Sequence, residues 1–241
     1  MIPGDTEHIF YQHLLQRQHQ EALPVNAYDL VWPSIFMLSG LGLLVLLKTT
    51  SFNQVVKVVQ SCFSMQTLRQ MERDEYNPFK LYAISLSIFF LFNFSFYIYK
   101  LNQVFKLVFV EQGALVQFSL ILLITVSVFS IRNGASRMFT LFIDDHKLIP
   151  EYTYSSFMIT QTLGLLLFPC MVLSELSPFN NLLFLSIATV IIITLQGFKW
   201  YRGLVFAFID GKVGFLQIFT YFCSLEILPV LVLIKFIIEK Y

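Results

Sequence analysis

Polar residues in this chain gather into short clusters, and the stretches between them are apolar and long. Six of these stretches approach the ~20 residues needed to cross ~30 Å of hydrocarbon as a helix. They are Leu30 to Leu47, Phe79 to Tyr99, Gly113 to Ile131, Thr153 to Ser174, Phe179 to Phe198, and Val213 to Ile238. No water satisfies backbone groups inside a bilayer, so such segments must be helices or strands of a closed barrel. The alternation of polar and apolar positions that a barrel strand needs is absent, and the pattern predicts an all-α polytopic transmembrane helical bundle. Residues 1–29 form an N-terminal segment and residues 30–241 one six-helix transmembrane domain. Asp5, Glu7, Arg17 and Glu21 precede the first run, which lacks the basic start and small-residue cleavage site of a signal peptide, so that span is expected to be retained.

The connection after the first span has a helical pattern of its own. Phe52, Val55, Val56, Val59 and Phe63 recur at helical spacing, with Gln54, Lys57, Gln60 and Gln66 on other faces. This predicts an amphipathic helix lying on the membrane surface or against a partner, with Phe52, Val56 and Phe63 as the docking residues. It leads into the charged cluster Arg69, Glu72, Arg73, Asp74 and Glu75, and Asn77-Pro78 stops it before the second span. The later connections read FIDDHK and FIDGK, and each precedes a span containing a proline, Pro169 or Pro229.

Composition places the chain in lipid. It is 56% hydrophobic and 13% charged, with 27 Phe and a mean hydropathy of +0.70. A net charge of +1 gives no general attraction to nucleic acid. Cys62, Cys170 and Cys223 fall in separate segments without paired spacing, so neither a disulfide framework nor a thiolate metal site is indicated.

Basic residues report topology instead. Lys48, Lys57, Arg69, Arg73, Lys80, Arg132, Arg137, Lys147, Lys199, Arg202 and Lys212 fall on one side of the six-span arrangement. Arg17, Lys100, Lys106, Lys235 and Lys240 fall on the other. The richer side is expected to be cytoplasmic, which puts both termini outside the cytoplasm. Lys199 and Arg202, flanking Trp200 and Tyr201, are candidates for an anionic lipid head group or for simple anchoring.

Glu226 carries the most suggestive chemistry. It lies thirteen residues into the last span, about 20 Å deep at ~1.5 Å per residue. A lone ionised carboxylate there would cost on the order of 3 kcal/mol or more, so the acid is expected to be protonated, hydrogen-bonded to a neighbouring helix, or open to water. Gln161 and Asn93 are the leading candidates to line an ion or interhelical polar site with it; Thr160, Thr162, Thr125, Ser127 and Thr189 lie at similar depth. Pro229 lies one turn beyond and withholds a backbone donor beside the acid. A structural hydrogen bond between helices explains Glu226 as well as an ion site does.

Catalytic patterns are scarce. Asp144, Asp145 and Asp210 fall in loops rather than spans, and neither His-Glu-x-x-His nor Gly-x-Ser-x-Gly occurs. His8, His13 and His19 suit a solvated helix better than a metal site, and no predicted span contains the histidine that a haem usually needs. No cofactor or metal is expected. Asp144, Asp145, His146 and Arg137 could support lipid chemistry, but nothing in their spacing singles it out.

Three segments carry a family likeness. KVVQSCFSMQTLRQMERDEYNPFKLY, EYTYSSFMITQTLGLLLFPCMVLSEL and YRGLVFAFIDGKVGFLQIFTYFCSLEILPVLVLIKF resemble an uncharacterised integral membrane family of Bacteroidota that carries a domain-of-unknown-function label. The resemblance spans roughly residues 45 to 240. It implies a multi-pass protein of the bacterial inner membrane and implies no activity. Taken together, the sequence favours a non-catalytic subunit or scaffold of a cell-envelope complex, in contact with membrane lipids and with a membrane-protein partner or further copies of itself. A small transporter or proton-coupled channel centred on Glu226 is the alternative, and a lipid-modifying enzyme a second one.

Overall fold

The structure is a computed structural model that describes residues 27–64, 66–68, 70, 81–105, 112–142, 148–177, 181–210 and 235. Five long helices follow one another: α1 (Ala27–Phe63), α2 (Leu81–Phe105), α3 (Ala114–Phe142), α4 (Leu148–Leu176) and α5 (Asn181–Asp210). All five are long and apolar enough to cross a membrane, and there is no strand among the described residues. The protein is thus an all-α, multi-pass helical bundle in architecture. The sixth expected span, apart from Lys235, lies outside the described residues, as do Glu226, Pro229, Asp144, Asp145, His146 and the N-terminal histidines.

The helices run past the apolar windows that announced them. Hydropathy marks where a helix meets hydrocarbon, whereas the helix itself continues until capping or a breaker ends it. The membrane window of α5 ends at Val205, for example, and the helix ends at Asp210.

Burial sorts the helices into a centre and a rim. The window of α4 is 61% buried and that of α2 is 44%, against 17% for α3 and 11% for α5. α4 packs most extensively against α5 and α2, then against α1. Apolar side chains gain little by leaving lipid for a helix interface, so association relies on close packing and interhelical hydrogen bonds. Gly164 shows the first device. A Cβ there would lie 2.6 Å from the Cα of Phe90 and 2.8 Å from its Cβ, so only glycine lets α4 approach the α2 backbone so closely.

Alternating helix directions give the bundle two ends. At the first, Trp32 and Phe36 of α1 meet Phe96 and Tyr99 of α2 and Phe118 of α3. The Phe36 ring stacks on Phe92 at 3.8 Å and on Phe96 at 4.2 Å, while Trp32 meets Tyr99 edge-on at 5.0 Å. Lys100 pairs with Glu175 at this end, joining α2 to α4, and its ammonium lies 5.6 Å from the centroid of the Phe96 ring. At the second end Leu47, Val58, Leu68, Leu86, Tyr152, Tyr154 and Met158 form a separate apolar cluster.

α1 is bent at Ser51, whose φ of −151° and ψ of 31° are not helical. The bend falls in Lys48-Thr49-Thr50-Ser51, where hydroxyl side chains compete for backbone groups; Thr49 Oγ1 donates to the Leu46 carbonyl at 3.1 Å. Beyond the bend, residues 52–63 form an arm that folds back against α2 and α4 through the second cluster.

Candidate functional site

The arm is the site at which polar chemistry from three helices converges. Its last carbonyls lie at a helix end, where backbone acceptors look for partners beyond the helix; that of Gln60 is met by the Ser64 N–H at 3.0 Å. Arg202 of α5 reaches two of them: Nη1 donates to the Ser61 carbonyl at 2.9 Å and to the Cys62 carbonyl at 3.2 Å. A guanidinium at this position also meets the negative end of the helix dipole. The Cys62 thiol shares a hydrogen bond of 3.1 Å with the Thr162 hydroxyl of α4. Burial pushes the Cys62 thiol above its ordinary range, opposed in part by the Thr162 hydrogen bond and the charge of Arg202.

The arm turns toward the bundle the side opposite Phe52, Val56 and Phe63. Val58, Ser61 and Cys62 face inward, with Gln54 and Val55 half-buried beside them. Phe52 is 55% exposed and Phe63 is 80% exposed, while Val56 and Val59 are half-buried. The outward side thus carries Phe52 and Phe63 among the exposed Asn53, Lys57 and Gln60, and the inward side carries Val55, Val58 and Cys62. The Phe63 ring centroid lies 6.5 Å from that of Phe198, with the rings tilted.

Lys199 and Arg202 lie one turn apart on α5 and both are buried, at 2% and 4% exposure. The Arg202 guanidinium is engaged with backbone rather than turned toward a head-group layer. Trp200 and Tyr201 are the exposed residues of that turn.

Gln161 and Asn93 lie in the α2–α4 seam but at different levels. Gln161 Nε2 donates to the Ala83 carbonyl at 3.0 Å and to Ser87 Oγ at 3.3 Å. Asn93 is six residues beyond Ser87, about 9 Å further along the helix axis, and its Nδ2 donates to the Phe89 carbonyl of its own helix at 2.8 Å. Both amides are fully buried, and neither Gln161 Oε1 nor Asn93 Oδ1 has a hydrogen-bond partner among the described residues. Thr160, Thr162, Thr125, Ser127 and Thr189 each donate to the carbonyl four residues earlier. Thr189 also meets the Tyr97 hydroxyl at 2.7 Å.

Sequence reasoning missed Arg132, which donates to Ser156 Oγ at 2.9 Å and ties α3 to α4. It also missed the joint made by Cys62, Thr162 and Arg202. The signal available was an arginine within an otherwise apolar helix, which by default implies an internal partner. Among the described residues no three His, Cys, Asp or Glu side chains come together in a way that could hold a metal.

No curated protein and no solved structure matches the chain. A family profile does match, over residues 34–237, and so covers the bundle from within α1 onward, the arm included. The chain belongs to the family described as Domain of unknown function (DUF4271).

Proposed function

We propose that this protein is a non-catalytic subunit or scaffold of a membrane assembly, in which the arm of residues 52–63 is the docking element. The observation that carries this reading is the arm's orientation. Its inward side is fixed to α4 and α5 by Thr162 and Arg202, while Phe52 and Phe63 are presented outward. A rigid helix offering spaced aromatic anchors suits a helix-in-groove or helix-on-helix partner. The excess of Lys and Arg in the connections at the arm's end of the bundle supports a cytoplasmic position for it, and the family likeness supports a bacterial inner membrane. Both termini then lie outside the cytoplasm.

The test is stoichiometric co-purification from native membranes with the chain tagged at its own locus. A Phe52→Ser, Val56→Ser, Phe63→Ser variant is expected to reach the membrane at normal abundance and to lose a partner that otherwise co-purifies in fixed ratio. Retention of every fixed-ratio partner by the triple variant would sink the docking role.

One observation favours a second reading. The two buried amide oxygens of Gln161 and Asn93 could accept from Glu226 or from a passing solute, as a small transporter or proton-coupled channel requires. Glu226→Gln is expected to abolish transport on that reading, and unchanged transport or growth would remove it.

A further inference from the structure

The arm turns Val58, Ser61 and Cys62 toward the bundle, with Val55 packed against the second apolar cluster, and leaves Phe52 and Phe63 exposed. Val58 is the one fully buried apolar side chain on the inward side besides Cys62, and Ser61 is the buried residue between them. Beside that apolar packing, directional bonds fasten the arm. Arg202 fills two of its terminal carbonyls and Thr162 meets its thiol, all within 3.2 Å. The other end of the arm is the non-helical Ser51, which follows Thr49 and Thr50. Residues that absorb a backbone change at an element's end are the usual seat of a hinge.

We propose that Arg202 and Thr162 form a latch that holds the 52–63 arm on the bundle, with Ser51 as its hinge, so that releasing the latch swings the arm away and uncovers Cys62. The device does not depend on what docks to the outer side of the arm. It gives the protein two arrangements of one surface. Latched, the arm displays Phe52 and Phe63 from a fixed position. Released, it uncovers Val58, Ser61 and Cys62 together with the α4 face around Thr162 and Met158. Arg202 is the dominant part of the latch because its two bonds to backbone carbonyls are charge-assisted.

Cys62 is its own reporter. In the full chain carrying Cys170→Ser and Cys223→Ser, the rate of N-ethylmaleimide labelling in membranes reads how often the arm opens. With Arg202 present the thiol is expected to label slowly. Arg202→Ala is expected to raise the rate at least tenfold. Arg202→Lys, which keeps the charge but replaces the planar guanidinium with a shorter, more strongly hydrated ammonium, is expected to fall between. Thr162→Val is expected to give a smaller rise than Arg202→Ala. Cys170, buried in α4 near the opposite end of the bundle, separates release from unfolding. In a chain carrying Cys62→Ser and Cys223→Ser, Arg202→Ala is expected to leave Cys170 labelling unchanged. Cys62 labelling that is indifferent to Arg202→Ala would overturn the latch, and so would a parallel rise at Cys170.

Discussion

Gly164→Ala probes the tightest point in the bundle. The added Cβ would lie 2.6 Å from Phe90 Cα, 2.8 Å from Phe90 Cβ and 3.1 Å from Phe90 N. Non-bonded carbons sit comfortably at about 3.5–4.0 Å, so α2 and α4 would have to part by about 1 Å. Overpacking costs about 1–3 kcal/mol, and the upper end applies because backbone atoms cannot rotate away. Alanine recovers about 1 kcal/mol of helix propensity over glycine, which leaves a net loss of about 2 kcal/mol. Gly42 supplies the comparison, since a Cβ there meets nothing within 4 Å and Gly42→Ala keeps the propensity gain without a clash. The assay is thermal denaturation in detergent, followed by the fraction of protein that stays monodisperse. Gly164→Ala is expected to melt below the wild type, and Gly42→Ala at or above it. If the two variants melt together, the close approach of α4 to Phe90 is not what holds this seam.

Asn93→Leu removes a buried amide whose oxygen has no partner among the described residues and whose nitrogen bonds only within α2; it is expected to stabilise the bundle by about 1 kcal/mol, and a lower melting temperature would show that the amide holds helices together. Glu175→Gln leaves the Lys100 ammonium without its anionic partner and is expected to cost about 2 kcal/mol, whereas Lys100→Met combined with Glu175→Leu is expected to recover most of it; equal losses in both variants would contradict that account. For Cys62, a thiol whose folded pKa is raised supports the fold while it is protonated. That support is complete below the usual thiol value of about 8.5 and is lost as pH climbs through the raised one. The stability advantage of wild type over Cys62→Ala is therefore expected to be level below the usual thiol value and to shrink as pH rises above it, and a difference independent of pH would refute the assignment.

Apolar run length was sufficient to place α2 through α5, because burial in hydrocarbon demands a continuous run and leaves little choice of backbone. It was not sufficient to show what holds the arm. Phe52, Val56 and Phe63 do share one helical face, as their spacing requires, but in a membrane bundle an apolar face has no obligation to turn inward. Ser61 and Cys62, small and unremarkable in sequence, take the inner side because Arg202 and Thr162 meet them there. That joint links residues 100 to 141 positions apart, and no local pattern encodes such a contact. Gly164 is a similar case. Its role follows from Phe90 on another helix and not from its neighbours LeuGlyLeu. Gln161 was legible as a buried polar residue at mid-span; its partners Ala83 and Ser87 were not, since one of them is a backbone carbonyl.

The central claim is that the outer side of the arm is occupied by a protein partner. The direct measurement is photocrosslinking in living cells from a diazirine amino acid placed at Phe63, compared with the same probe at Val190, an exposed position on the outer side of α5. The account predicts one discrete protein adduct from position 63, present in fixed ratio and lost when Phe52 and Val56 are changed to Ser, with no such adduct from position 190. Crosslinks from position 63 to lipid alone would contradict it.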